Sequence, residues 1–295
     1  MLPFYGLAAN LLSLTGADLR AGRAGGEGMF DLLELVAKSQ ILFIVILAVL
    51  LVAMNELGRR AGSRKRASEP EGDDTTGLVI GSVLGLLAFV LAFNLSAATS
   101  RNADRLASAM GEANAVGTAW LQAKAIGGPD GEAVASALGD YLNERLIFAG
   151  SRRHDPAIDA ADTRTNELQS VIWDRVSAIV EARTDPVASS LMNSVNNAFD
   201  ATTEMRFAMG FVMPPQLIWL LLGMNLVGMG AVGYKFGLSG RSNLLVVVSL
   251  SVLWCIVTAE IIDLGSGRIW SFRTDVRTYI WALESMGLSP ASLPD

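Results

Sequence analysis

Few side chains in this sequence are of types that do chemistry, and their spacing narrows the chemistry further. Glu260 and Asp263 stand three apart in Glu260-Ile261-Ile262-Asp263, so they share a face of any helix. Paired carboxylates can divide acid and base roles, but no nucleophile accompanies them. At a membrane boundary they read either as a cap solvated by lipid headgroups or as an ion pair of Asp263 with Arg206 or Arg268. Cys255, the one cysteine, lies in an apolar run, where a thiol is inert. His154, the one histidine, sits in the polar turn Ser151-Arg152-Arg153-His154-Asp155, which predicts a solvated ring and excludes a His-rich metal site. Gly228-Met229-Gly230-Ala231-Val232-Gly233 spells G-x-G-x-x-G. A dinucleotide loop must follow a strand and open a helix; this one lies inside an apolar stretch and reads as helix packing. The residues thus predict no enzyme, no bound metal and no cofactor.

The elements that carry these residues are set by the distribution of charge. Hydrophobic residues make up 51% of the 295 and charged residues 18%, against about 25% charged in a soluble domain. Four long windows hold no charge at all: 39–55, 75–100, 207–234 and 242–259. A helix needs about 20 apolar residues to cross the hydrocarbon layer, and snorkelling flanks extend the shorter two. The expected fold class is therefore all-α, an integral membrane protein with four transmembrane helices and a helical extramembrane domain between the second and third. The boundaries are an N-terminal interfacial segment 1–35, spans at 36–57, 77–100, 214–235 and 243–263, a polar loop of basic and acidic residues 58–76, a helical domain 101–210 and a tail 264–295. Apolar residues at steps of three and four recur in the domain, as in Val134, Leu138, Tyr141, Leu142 and Leu146. Gly127-Gly128-Pro129, the stretch 150–156 and Asp185-Pro186 break it into helices. The net charge of −6 gives no basic field to gather nucleic acid.

The second span has the most individual pattern. Gly77, Gly81 and Gly85 recur every four residues and read as a helix-packing stripe, since glycine lets backbones approach in lipid. Phe89 and Phe93, also four apart, are expected on the opposite, bulky side. They meet lipid or core, or they form an apolar constriction in a water-filled pathway, flanked by Ser82 above and Ser96 and Ser100 below; such a constriction gates by dewetting. Asn94 is polar at membrane depth and needs a partner or water. One four-span chain is too thin to enclose a pore, so the second reading requires several copies around an axis. Cations at the span ends nearly balance between the two sides. Discounting those beside the long domain leaves the excess on the short loops, which the positive-inside rule places in the cytoplasm.

The segment Glu112-Ala113-Asn114-Ala115-Val116-Gly117-Thr118-Ala119-Trp120, then Arg206, Pro214-Pro215, Trp219, Gly233-Tyr234, Gly237-Leu238-Ser239-Gly240 and Ile261-Ile262-Asp263-Leu264, resemble in this order a bestrophin-like family of bacterial four-span proteins long described as of unknown function. The resemblance covers residues 40–270. Where that family runs on into Asp-Leu-Asp-x-Pro, this chain has Gly265-Ser266-Gly267. The resemblance implies a homopentameric anion channel, conducting chloride among small inorganic ions, in the bacterial inner membrane. It implies an axial pore lined by the second span, with Phe89 and Phe93 as two of its narrowing residues. It also puts the helical domain in the cytosol, against the charge-based orientation. Within the motif, Glu112, Asn114, Gly117 and Thr118 read as a helix or subunit contact, with Glu112 pairing Arg105 or Arg206, or else as a vestibule lining. The partners expected are the lipid bilayer, further copies of the chain and small ions. The competing expectation is a non-conducting membrane sensor or scaffold whose helical domain binds a partner.

Overall fold

The computed structural model describes residues 39–68, 74–152, 155–210, 214–240 and 243–293. The expected interfacial segment 1–35 and the turn residue His154 lie outside the described residues. Among those described the chain is all-α, with no strand. Its helices are α1 (Gln40–Ser68), α2 (Asp74–Ile126), α3 (Gly128–Gly150), α4 (Pro156–Ala182), α5 (Pro186–Gly210), α6 (Pro215–Ser239), α7 (Leu244–Ser266) and α8 (Arg277–Ser285). Four of them, α1, α2, α6 and α7, are long and apolar enough to cross a membrane.

Helix ends follow local chemistry. The Asp155 carboxylate caps α4 through the Ala157 N–H, and Asp185 caps α5 through the Ala188 N–H, both at 2.9 Å. The Asn243 side chain accepts from the first amides of α7. Gly127 and Gly128, both at positive φ, turn the chain between α2 and α3. One expected boundary moves. The segment 58–76, expected as a loop, continues α1 as far as Ser68. Glu56 pairs there with Arg59 and Arg60, each at 2.7 Å, while Gly58 and Gly62 are held by close contact with α6. The helical domain reads as continuous with the second span, and the helix is unbroken there: α2 runs 53 residues, about 80 Å, through the span and into the start of the domain.

The molecule has two packed regions. In the helical domain, Leu138, Leu142 and Leu146 of α3, Leu168, Ile172 and Val176 of α4, and Leu191 and Val195 of α5 close on Val116 and Ala119 of α2. The segment expected as a tail belongs here as well. Tyr279 and Leu283 of α8 are fully buried in the same core, because Val276, Tyr279 and Leu283 repeat at helical spacing. In the spanning region, α1 and α6 run parallel, and α1 lies behind α6 and α7 as seen from α2. Their approach is backbone to backbone. A Cβ built on Gly58 would lie 2.0 Å from the Gly230 carbonyl oxygen, and one on Gly233 would lie 2.0 Å from that of Asn55. The Asn55 amide donates across this seam to the Met229 carbonyl at 3.3 Å.

Candidate functional site

The structure sorts α2 into two faces. Ile80, Leu87, Asn94 and Ala98 form the buried row. Leu87 packs with Met229 and Trp254, and Ala98 with Leu221 and Ile261. The other face carries Phe89, 67% exposed, and Phe93, 58% exposed. Gly81 and Gly85 stand on the same row as the phenylalanines, and a Cβ at Gly77, Gly81 or Gly85 would meet nothing within 4 Å. The expected glycine packing stripe therefore makes no contact within the chain, and it does not oppose the phenylalanines. Steps of four place all five residues on one slowly drifting line. Asn94 leaves the expected pore-lining set: it is buried on the packed row, where its amide donates to the Val90 carbonyl at 2.8 Å. Ser82, Ser96 and Ser100 stay on exposed positions, and the Ser82 hydroxyl donates back to Leu78 at 3.0 Å.

The open face continues below the membrane segment. Phe93, Ser100, Ala107, Asn114 and Leu121 are spaced by sevens, and all are exposed. Thr118 lies beside this row with its hydroxyl donating to the Asn114 carbonyl at 3.0 Å, and Gly117 has open space at its Cβ position. The motif 112–120 is thus divided by the helix. Asn114, Gly117 and Thr118 look outward, while Glu112 looks into the domain core.

Glu112 is fully buried. Its expected partners, Arg105 and Arg206, are both replaced. The Arg145 Nε donates to Glu112 Oε1 at 2.6 Å, and the Tyr279 hydroxyl donates to Oε2. Burial alone would lower the Arg145 pKa; the charge and hydrogen bond of Glu112, together with Tyr279 and Tyr141, outweigh it and raise the pKa. A second chain of hydrogen bonds runs alongside: Gln169 donates to the Tyr141 hydroxyl at 3.0 Å, and Tyr141 meets Thr202 at 2.5 Å. Arg206 instead pairs with Asp162 at 2.7 Å and reaches Asn166 at 2.8 Å. Arg105 donates to the Leu264 and Gly265 carbonyls, closing the C-terminus of α7.

Asp263 also departs from expectation. Arg206 and Arg268 both point elsewhere, and four donors fill the Asp263 carboxylate. These are the amides of Trp270 at 3.0 Å, Ser271 at 3.1 Å and Phe272 at 2.9 Å, and the Ser271 hydroxyl at 2.9 Å. Glu260 is exposed, so the two acids share no site. Arg268 donates to the Phe148 carbonyl at 2.7 Å and stacks over the Phe148 ring, which Arg145 also covers. Burial and the neighbouring Arg145 bring the Arg268 pKa down to about 10. Gly267, at φ 68, ends α7 in the left-handed conformation. That is the local reason for glycine where the resembled family carries acid and proline. Cys255 is buried. Among the described residues no cluster of acidic, histidine and cysteine side chains could hold a metal ion.

This arrangement of four crossings, a second helix prolonged into a helical domain, and an open face along that helix can be set against solved structures. A bacterial bestrophin homologue from Klebsiella pneumoniae, in a leucine-to-threonine variant, matches at a TM-score of 0.59 with 17% identity, over 83% of this chain and 98% of its own. A tyrosine-to-alanine variant matches at 0.58 with 15% identity, over 82% and 98%. A structure of the homologue phased on zinc matches at 0.57 with 14% identity, over 85% and 100%. The fold is the bestrophin fold. No protein-family profile and no curated protein matches the sequence, so the likeness is one of fold. Seen as a bestrophin fold, the chain has its second helix open along one side, with its polar hub holding that helix to α3 and α8.

Proposed function

We propose that the protein is an oligomeric membrane ion channel whose copies gather around the open face of α2, with Phe89 and Phe93 as its apolar constriction. One observation carries this reading. A single helix leaves an unpartnered row from the glycines through two large aromatics to Ser100, Asn114 and Leu121, while the opposite row of Ile80, Leu87, Asn94 and Ala98 is buried. An apolar face of that length inside one protomer is complete only against other copies or lipid. Lipid does not explain why small and hydroxyl residues flank the rings. Glycines above and serines below leave width on either side of the phenylalanines, the profile of a pore that closes by dewetting. The resemblance to bestrophins favours five copies, and anions as the permeant ions.

Purified protein reconstituted in planar bilayers under a KCl gradient tests this. Single-channel currents are expected, with a reversal potential on the chloride side and larger or longer openings in Phe93→Ala. A silent wild type, or Phe93→Ala currents identical to wild type, overturns the proposal. A second reading, a scaffold that binds a partner through its helical domain, draws on one feature. Trp173, Phe199, Gln169 and Asn196 line an open cavity of about 390 Å³ on that domain. It predicts an occluded axis and a co-purifying protein.

A further inference from the structure

The far end of the spanning bundle carries a second, unrelated feature. One row of α1 runs outward at steps of three and four: Val45, Val49, Val52, Glu56, Arg59, Ser63 and Arg66. Its first three members are exposed valines at hydrocarbon depth. The row then turns cationic at the point where α1 leaves the apolar window. Arg59 lies seven residues beyond Val52, about 10 Å along the axis, which is headgroup level for a helix whose apolar part ends at Asn55. Arg59, Ser63 and Arg66 line a cleft of about 410 Å³ between the ends of α1 and α6, closed on the other side by Phe236, Gly237 and Gly240. Gly240 is part of its construction. It ends α6 in the left-handed conformation at φ 65, and the Arg66 guanidinium lies over its Cα, where a Cβ would displace it.

Among the described residues the charges of the cleft do not cancel. Glu56 is shared by Arg59 and Arg60, which leaves one positive charge over. Among the described residues Arg66 has neither an ion pair nor a hydrogen bond. The carbonyl end of α6 adds about half a negative charge, less than one guanidinium supplies. Planar guanidinium groups at the mouth of a cleft suit the oxygens of a phosphate ester. The valine row directly below suits an acyl chain. We infer that this cleft is a binding site for the phosphodiester headgroup of an anionic phospholipid, with Arg59 and Arg66 on the phosphate and an acyl chain along Val45, Val49 and Val52. The site lies at the end of the bundle opposite the helical domain and needs no pore. It holds equally for a conducting and a non-conducting protein, and for either orientation in the bilayer.

Native mass spectrometry of the delipidated full-length protein, titrated with phosphatidylglycerol or phosphatidylcholine, tests it. Phosphatidylglycerol is expected to bind in preference to phosphatidylcholine. Each arginine near a lipid surface is worth about fivefold, so the R59Q/R66Q double variant is expected to lose roughly 10- to 30-fold of that preference. Arg164→Gln, which removes an exposed charge from the helical domain, is expected to leave it unchanged. Ser63→Glu places a carboxylate in the cleft without touching either arginine and is expected to reproduce the loss. Three results overturn the inference: no preference in the wild type, full preference in R59Q/R66Q, or millimolar inorganic phosphate competing off the lipid completely. The last would make this a site for free phosphate. The wild-type arm decides even if a variant does not fold.

Discussion

A buried carboxylate is stable only if its surroundings supply what water would have given. Glu112 receives a guanidinium from α3 and a phenol from α8, and so joins three helices through one side chain. The phenol is the part that titration can read. Burial, together with the facing Glu112 carboxylate, holds Tyr279 well above its ordinary value near 10, and burial does the same to Tyr141. The sign follows. An acid whose folded-state pKa is raised keeps its proton in the folded chain after the unfolded chain has lost it. Its contribution is therefore whole below about pH 10 and falls as pH rises beyond that. We expect thermal stability of the detergent-solubilised protein, followed by circular dichroism, to decline above about pH 10 more steeply than in Tyr279→Phe. That variant loses about 1–3 kcal/mol at neutral pH, because one carboxylate oxygen is left without a donor. Equal alkaline slopes in the two proteins would show that Tyr279 does not carry the effect.

At the level of the helix, the same residue type at the same spacing does opposite things. Gly77, Gly81 and Gly85 look like a packing stripe and meet open space. Gly58, Gly62, Gly233 and Gly237 form the seam at which α1 and α6 touch backbones. Alanine at Gly233 would put its Cβ 2.0 Å from the Asn55 carbonyl oxygen, and the helices must part to accept it. We expect Gly233→Ala to lower the unfolding temperature, at a cost of about 1–3 kcal/mol as for other overpacked sites. Gly81→Ala is expected to be neutral or to gain up to about 1 kcal/mol from helix propensity. The reverse ranking would mean that the stripe on α2, not the seam, holds a protomer together. This contrast also marks where sequence reasoning stops. The four crossings, the breaks at Gly127 and Asp185 and the packing role of Gly228 to Gly233 were legible, because each rests on a local property: missing charge, a turn residue or a glycine period. The partners of Glu112, Asp263 and Arg206 were not legible, because each is set by chain segments 33 or more residues apart or by a loop of irregular backbone. The tail helix α8 carried a usable signal in Val276, Tyr279 and Leu283, but its apolar face is short and Ile280, Trp281 and Ala282 beside it blur the period.

At the scale of the whole molecule, the question is what lies against α2. Its packed side meets α6 and α7 in the spanning region and α3 and α5 in the helical domain, so its open side is the one long surface of that helix left for a neighbour. If copies gather there, residues on that row approach their own counterparts, and residues on the outward row of α1 do not. Cysteine placement separates the cases cleanly, because the single native thiol, Cys255, is buried and can be replaced by serine. In that background, Gly85→Cys and Ser100→Cys in native membranes are expected to form disulfide-linked dimers under mild oxidation. With five copies, at least one subunit per ring stays unlinked, so a monomer band persists at full reaction. Val49→Cys on α1 is expected to remain monomeric throughout. Cross-linking at Val49 but not at Gly85 would move the contact between copies to α1. The phenylalanine row would then face lipid, and the basis for a shared pore would be gone.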